Sequence, residues 1–226
     1  MKNDNTFLII VPYRDRKKQL DVFVEHMHTY LPTVGLDFEI CVVEQGNDKP
    51  FNRAKLLNVG VLQNQDIHNK FVFHDVDVLP LSNKMDYTIP PYGVIKHIWG
   101  PPHSLGGCIA MLGKTFTTMN GFSNNYWGWG REDVDLQLRA EYAGCKIDRT
   151  TLCHHAGQGT KTNDTIHWAR PDNQQGVPIP ANHEYYQKLV DDKTLMNRDG
   201  LNSCEYKIIS KNKIYGGLAT LILCDI

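Results

Sequence analysis

Five apolar residues in a row, Phe7-Leu-Ile-Ile-Val11, closed by Pro12, predict a buried strand over residues 6–11. Behind it Leu20, Phe23, Val24, Met27 and Leu31 recur at helical spacing and predict a helix over 16–31. The pattern then repeats. A strand is expected over 38–43, a loop over 44–50, and a helix over 52–64 carrying Ala54, Leu57, Val61 and Leu62. A third strand over 70–74 stops at Asp75-Val-Asp77. Alternating strand and helix with unbroken apolar strands marks right-handed crossovers and a parallel sheet. In such open sheets a ligand sits beyond the carboxyl ends of the strands. Three polar clusters fall there and should meet in space: Tyr13-Arg-Asp-Arg16, Glu44-Gln-Gly-Asn47 and Asp75-Val-Asp77.

The second half has a weaker rhythm. Residues 80–107 are rich in Pro, Gly and Tyr and read as short strands mixed with loops. Residues 132–142 predict a helix ended by Gly144, and 185–189 open a short one. Residues 154–183 are polar with little periodicity, the pattern of a flexible lid loop. Residues 206–209 and 218–223 predict late strands.

Composition narrows the field. Across 226 residues, 24 Lys and Arg stand against 25 Asp and Glu, a net charge of −1. That balance argues against broad electrostatic binding to nucleic acid or anionic membrane, while leaving room for a few cations focused on one phosphate group. No stretch approaches the ~18 apolar residues of a membrane span, so no membrane segment is expected. The six cysteines form no C-x-x-C pair and several lie in apolar strand contexts, which reads as buried reduced thiols of a cytosolic protein.

The candidate chemistry gathers at three places. In Asp75-Val-Asp77, alternation puts both carboxylates on one side of the chain where a buried strand opens to solvent. Two close carboxylates repel unless a cation or proton lies between them, and hard oxygens suit Mg²⁺ or Mn²⁺. A bare D-x-D is also a common solvated loop pair; the strand before it and Leu79-Pro80 after it favour a site. Arg14 and Arg16 follow the first strand, and Arg53 and Lys55 open the second crossover helix. Their guanidinium groups suit a diphosphate, although solvated helix-start cations have the same look. The densest signal is Tyr126-Trp-Gly-Trp-Gly-Arg-Glu-Asp-Val-Asp135. Tryptophans there offer stacking faces to a sugar, and a carboxylate can take a proton from an attacking hydroxyl. A core Trp pair with acids placed at a helix dipole is the plainer alternative.

These blocks together resemble the β-1,4-galactosyltransferase family. They are Val11-Pro-Tyr-Arg-Asp-Arg16, Phe51-Asn-Arg-Ala-Lys-Leu-Leu-Asn-Val-Gly60, Phe73-His-Asp-Val-Asp-Val-Leu-Pro80, Gly106-Gly107, Asn120-Gly-Phe-Ser-Asn-Asn-Tyr-Trp-Gly-Trp-Gly-Arg-Glu-Asp133 and Asp199-Gly-Leu-Asn-Ser203. They stand in family order over most of 7–206. The tail, with His74 and Arg131, is most similar to the xylose-directed branch.

The resemblance implies an α/β, Rossmann-like GT-A fold: a mostly parallel sheet flanked by helices, with a flexible lid about 154–183. A single domain over 1–226 would hold a nucleotide-sugar-binding half at 7–110 and an acceptor half at 111–226. The implied activity is inverting, Mn²⁺-dependent transfer from a UDP-sugar to a saccharide acceptor. By position, Pro12, Arg14, Arg16, Phe51, Arg53, Asp75 and Trp129 would bind the UDP-sugar, and Asp77 the metal. Trp129 would also stack near the acceptor, Glu132 would orient it, and Asp133 would be the catalytic base. Tyr185, Tyr186 and Leu189 fall where the family builds its acceptor pocket.

Two departures stand out. The lid histidine that would complete the metal site matches His167 with a small insertion, with His154-His155 as the alternative; Asp164 falls where one branch has a methionine ligand. Ser104 stands where galactose-using members carry a bulky Tyr, leaving room for an N-acetyl group, so UDP-galactose and UDP-GalNAc are both open as donors. The competing readings are a catalytically silent carbohydrate-binding domain that kept the fold, and a nucleotide-sugar hydrolase. Location follows from completeness: a cytoplasmic, soluble transferase if the chain is whole, or the trimmed catalytic domain of a Golgi-lumen enzyme.

Overall fold

The structure, a computed structural model, describes residues 6–154, 157–169 and 179–226. The first half follows the predicted alternation: β1 (Phe7–Tyr13), α1 (Lys17–Thr33), β2 (Phe38–Gln45), α2 (Arg53–Leu62) and β3 (Lys70–His74). Strand parity explains the layering. Ile9, Val11, Ile40 and Val42 face α1 and pack on Leu20, Phe23, Val24, Met27 and Leu31. Leu8, Ile10, Cys41 and Val43 point the other way, onto Ala54, Leu57 and Val61 of α2. Each crossover helix thus covers one face of a sheet buried on both sides.

The sheet is completed from the second half by β5 (Val94–Gly100), β6 (Cys108–Leu112), β7 (Lys146–Asp148), β8 (Cys153–His154), β11 (Lys207–Ile214) and β12 (Ala219–Asp225). Its order is β11-β12-β2-β1-β3-β6-β5-β7, with β8 also on β5. β12, β2, β1 and β3 run parallel, as do β7 and β8 on β5; β6 is antiparallel to both β3 and β5. β11 pairs antiparallel with β12 and carries an irregularity between Ile208 and Ser210.

Two features of the second half differ from the sequence reading. Residues 154–183 were expected to be a lid without regular structure. Their described parts include β9 (Thr160–Lys161) and β10 (Thr165–His167), which build a three-stranded sheet with β4 (Val78–Pro80). The remainder of that segment, 155–156 and 170–178, lies outside the described residues. The short helix expected at 185–189 lies within a longer one, α5 (Pro180–Asp191), which starts on a proline at its first turn. Between β6 and β7 lie α3 (Gly113–Thr118) and α4 (Glu132–Tyr142). All six cysteines are free thiols, Cys145 and Cys204 being only half-buried. No helix among the described residues is long and apolar enough to cross a membrane.

A buried polar clasp ties several elements of the second half together. The Asp199 carboxylate accepts from the Asn124 N–H (2.9 Å), the Tyr185 hydroxyl (2.7 Å), the Ser123 hydroxyl and Arg139 Nη2 (3.4 Å). Arg139, fully buried on α4, also donates to the Asp199 carbonyl (2.7 Å) and to Asp135 Oδ2 (2.9 Å). Gly200 follows, and any Cβ there would overlap the Asn120 carbonyl oxygen. The Asp199-Gly-Leu-Asn block therefore holds the 120–125 loop and α4 in place.

Candidate active site

The three polar clusters meet at the carboxyl edge of β1, β2 and β3. Gln45, buried at the end of β2, donates from Nε2 to Asn47 Oδ1 and to the carbonyls of Lys49 and Pro50. Its Oε1 accepts the Asn52 N–H at 2.9 Å. This shapes the loop that presents Phe51. Asn52 then caps α2, accepting from the Lys55 N–H, and reaches across to the Asn124 carbonyl. Arg14 donates to the Lys49 carbonyl at 2.7 Å and lies over the Phe51 ring at 5.4 Å. Pro12 is buried in β1, opposite Val43.

Two guanidinium–carboxylate pairs cross this edge. Arg16 Nη1 meets Asp77 Oδ2 at 3.0 Å, and Arg53 Nε meets Asp75 Oδ1 at 2.7 Å. Burial works against the Arg53 charge, but Asp75, Glu132 and Asp133 outweigh it and raise its pKa. Its Nη1 is buried with no hydrogen-bond partner among the described residues. A desolvated guanidinium nitrogen left open costs free energy unless a ligand oxygen takes it.

The backbone of Asp75-Val-Asp77 is anchored from both sides. His74, buried, donates Nδ1–H to the Asp75 carbonyl (2.9 Å), so its Nε2 accepts from the Tyr87 hydroxyl (2.8 Å). Burial pushes the His74 pKa down to about 4, against the pull of that carbonyl, and keeps the ring neutral. The Asp75 N–H binds the Gly107 carbonyl, and the Asp77 carbonyl accepts the Trp168 N–H at 2.8 Å.

That last bond, with His167 opposite Val78 in the β4–β10 ladder, brings His167 next to Asp77 along the strands. His167 is buried and edge-on to Trp99, at 4.9 Å between ring centroids. Its Nδ1–H donates to the Gly157 carbonyl at 2.9 Å, fixing the tautomer with the lone pair on Nε2. A carbonyl-braced imidazole and a buried carboxylate on adjoining backbone are donors of the kind a divalent transition ion takes, so Asp77 and His167 fit such a metal by chemistry. The other expected candidates are placed differently. His154 is exposed on β8, and His155 lies outside the described residues. Asp164 is spent on Ser82 Oγ (2.7 Å) and Lys84 Nζ (3.0 Å), one residue before β10 and of opposite parity to His167. The suggestion of Asp164 as a ligand is corrected on that ground. Among the described residues no three acidic, His or Cys side chains form a closed metal cage.

Across the cleft, α4 begins with Glu132 and Asp133 after Arg131, a non-glycine residue with φ of 79°. Burial, and next the Asp133 charge, raise the Glu132 pKa to about 7, while Arg53 opposes. The Asp133 carboxylate accepts the Ser104 hydroxyl on Oδ2 at 2.7 Å and the Val134 N–H on Oδ1 at 2.9 Å. Ser104, expected to face the donor sugar, is buried and directed at this carboxylate.

The tryptophan loop is held by a residue that sequence reading missed. Asn182, buried at the start of α5, donates to the carbonyls of Trp127, Trp129 and Gly130 at 3.1–3.3 Å. The Ile179 N–H adds a bond to the Trp129 carbonyl, and the Gly128 N–H binds the Phe51 carbonyl. Trp129 itself is 45% exposed. Of the expected acceptor residues, Tyr186 is half-buried under the Arg131 guanidinium, 5.3 Å from its ring centre. Tyr185 gives its hydroxyl to Asp199 and its ring edge to Tyr126. Leu189 is fully buried with Tyr126 and Met196. The expectation that Leu189 touches the acceptor is corrected: it is core for the wall that carries the tyrosines. Asn182 and Tyr87 left no signal in the sequence beyond being polar groups near motifs, whereas Gln45 stood in the polar cluster that ends β2.

A Rossmann-like sheet with cations and paired carboxylates at its carboxyl edge defines a glycosyltransferase of GT-A fold. Residues 2–90 match the N-terminal region of glycosyl transferase group 7, and residues 84–163 match the N-terminal domain of galactosyltransferase. The chain is 37% identical to human β-1,4-galactosyltransferase 4 over 214 residues, covering 89% of this chain and 58% of that protein. It is 34% identical to bovine β-1,4-galactosyltransferase 3 over 235 residues, covering 96% of this chain and 54% of that protein. The catalytic domain of Drosophila β-1,4-galactosyltransferase 7, solved with xylobiose, superposes with a TM-score of 0.81 at 27% identity, covering 98% of this chain and 94% of that one. A mutant of the same enzyme, solved with manganese, UDP-Gal and xylobiose, superposes with a TM-score of 0.77. The chain belongs to the β-1,4-galactosyltransferase family. It spans about three fifths of the length of the curated relatives it matches.

Proposed function

We propose that this chain transfers galactose, or N-acetylgalactosamine, from a UDP-sugar to a saccharide hydroxyl with inversion at the anomeric carbon. The observation that carries the reading is Arg53: a largely buried guanidinium that gives Nε to Asp75 and whose buried Nη1 has no hydrogen-bond partner among the described residues, at the strand edge where Arg14, Arg16 and Phe51 also converge. Phe51 and Pro12 flank the uridine, Arg14 and Arg16 face the diphosphate, and Asp75 contacts the nucleotide-sugar. Asp77 and His167 would hold Mn²⁺, which supplies Lewis-acid stabilisation of the leaving diphosphate. Trp129 stacks on the sugars, with Tyr185 and Tyr186 on the same side, and Glu132 orients the acceptor. Asp133 takes the acceptor hydroxyl proton as that oxygen attacks the anomeric carbon and the UDP oxygen departs with its bonding pair. One base suffices for a single displacement, and the product is a β-linkage from an α-linked donor. The solved relative's xylobiose makes xylosides the first acceptors to try.

The test is a panel of UDP-Gal and UDP-GalNAc with Mn²⁺ against xylosides, glucosides and GlcNAc glycosides, read by mass and by NMR of the new linkage. Transfer to at least one acceptor is expected, and Asp133→Asn should abolish it while UDP still binds. Sugar release that no acceptor diverts would replace transfer by hydrolysis. UDP binding with no turnover on any pair would leave a binding domain.

A further inference from the structure

Ser104 lies in a turn, residues 104–107, that is gripped from several directions. His97, buried on β5, donates Nε2–H to the Gly106 carbonyl at 3.1 Å and accepts Arg149 Nε on Nδ1 at 3.2 Å. Arg149 reaches the Ser104 carbonyl at 3.4 Å and Gln137 of α4 at 2.8 Å. On the cleft side, the turn gives three contacts to one residue. The Leu105 N–H binds the Asp133 carbonyl at 3.1 Å, and Ser104 Oγ donates to Asp133 Oδ2 at 2.7 Å. A Cβ on Gly106 would stand only 2.8 Å from that same Oδ2, so the turn's backbone closes against the carboxylate. The Gly107 carbonyl meanwhile accepts the Asp75 N–H. One rigid turn therefore touches both the D-x-D segment and the carboxylate at the start of α4.

We propose that Ser104 is a positioning residue for Asp133, its hydroxyl setting the direction in which that carboxylate faces the acceptor. The inference rests on Asp133 being the base. With Oδ2 held by Ser104 and Oδ1 by the Val134 N–H, rotation of the carboxylate breaks a hydrogen bond at either oxygen. Ser104 is 1% exposed, so water does not compete for its proton. The remaining lone pairs then point in fixed directions for the acceptor O–H, whose proton moves to Asp133 as its oxygen bonds the anomeric carbon. The same side chain cannot be altered for donor choice alone without disturbing the base.

The experiment compares Ser104→Ala and Ser104→Cys with the unaltered chain, using UDP-Gal, Mn²⁺ and the best acceptor of the panel, together with UDP affinity and crystal structures. Ser104→Ala should lower kcat about tenfold, the scale of losing a hydrogen bond to a charged group, with UDP affinity and acceptor KM within about twofold. Ser104→Cys, of similar size with a weaker donor, should fall between. In the Ser104→Ala structure the Asp133 carboxylate should rotate from its present orientation. An unchanged kcat, or a change confined to the preference between UDP-Gal and UDP-GalNAc, overturns the proposal, as does an unrotated Asp133. If the unaltered chain transfers nothing, it is the proposed function that fails, and the Asp133 orientation in Ser104→Ala still decides whether Ser104 places that carboxylate.

Discussion

Asp199→Asn isolates the buried polar clasp that joins the 120–125 loop, α4 and α5. The substitution is isosteric, so it opens no cavity, and every partner of the carboxylate is a donor: Asn124 N–H on Oδ1, and Tyr185, Ser123 and Arg139 on Oδ2. An amide has one oxygen. It will turn its NH₂ toward the single donor, Asn124, because the other orientation faces three. The change costs one charge-assisted hydrogen bond, forces two N–H groups together, and removes the negative charge that offsets fully buried Arg139. Hydrogen bonds to charged groups contribute about 1.5–3 kcal/mol each, so the total loss is about 3 kcal/mol. At about 2–4 °C per kcal/mol for a chain of this size, the thermal midpoint should fall by about 6–12 °C. Scanning calorimetry at neutral pH reads it directly. Exposed Asp66→Asn is the matched control and should move by no more than about 1–2 °C. A loss under about 2 °C in Asp199→Asn, equal to the control, would refute the idea that this carboxylate organises the clasp.

Other predictions probe neighbouring parts. Gly200→Ala should destabilise by several kcal/mol, about the scale of core overpacking, because its Cβ overlaps the Asn120 carbonyl oxygen. Gly35→Ala meets nothing within 4 Å and carries only the strain of its φ of 73°, so it should change the unfolding midpoint far less, and equal losses in denaturant titrations would contradict the steric argument. Glu132, its pKa raised by burial and then by Asp133 to about 7, contributes stability that is complete below about pH 4.5 and is lost as pH rises through 7. Glu132→Gln should therefore gain on the unaltered chain between pH 5 and pH 8, and a pH-independent gap in melting temperature would count against the buried carboxyl. Asn182→Ala frees three carbonyls of the tryptophan loop and should raise acceptor KM severalfold while UDP affinity, measured by calorimetry, stays put. A matching loss of UDP affinity would show that Asn182 serves the whole cleft rather than the loop.

How much of this was legible depended on whether a residue's role repeats along the chain. The β1–α1–β2–α2–β3 run was readable because each strand is buried on both faces and each helix presents an apolar stripe, so period alone gives type and order. The site edge followed from topology, since polar groups after those strands have nowhere else to go. The 153–167 region was opaque because its strands are two or three residues long, and β8 and β10 pair with β5 and β4, partners more than 50 residues away in sequence, β9 pairing only with β10. α5 was half-seen because its buried positions are few: Asn182 and Leu189 are a polar clamp and a single core leucine. Leu189 also shows the limit of carrying roles by position, since a residue aligned with a pocket can form the layer beneath it. Ser104 was visible only as a missing tyrosine; that its hydroxyl meets Asp133 is a fact of three dimensions.

The open edge of the large sheet has a consequence for handling this protein. A net charge of −1 supplies almost no colloidal repulsion between molecules, so local devices must prevent strand-to-strand association. At one border, β7 and β8 are three and two residues long, too short to template a neighbour. At the other, the eight residues of β11 form a border long enough to do so, but Lys207, Lys211 and Lys213 line it and the break at Ile208/Ser210 interrupts its register. Neutralising those lysines, by acetylation or by glutamine substitution, is the change most apt to turn a monodisperse preparation into β-rich precipitate.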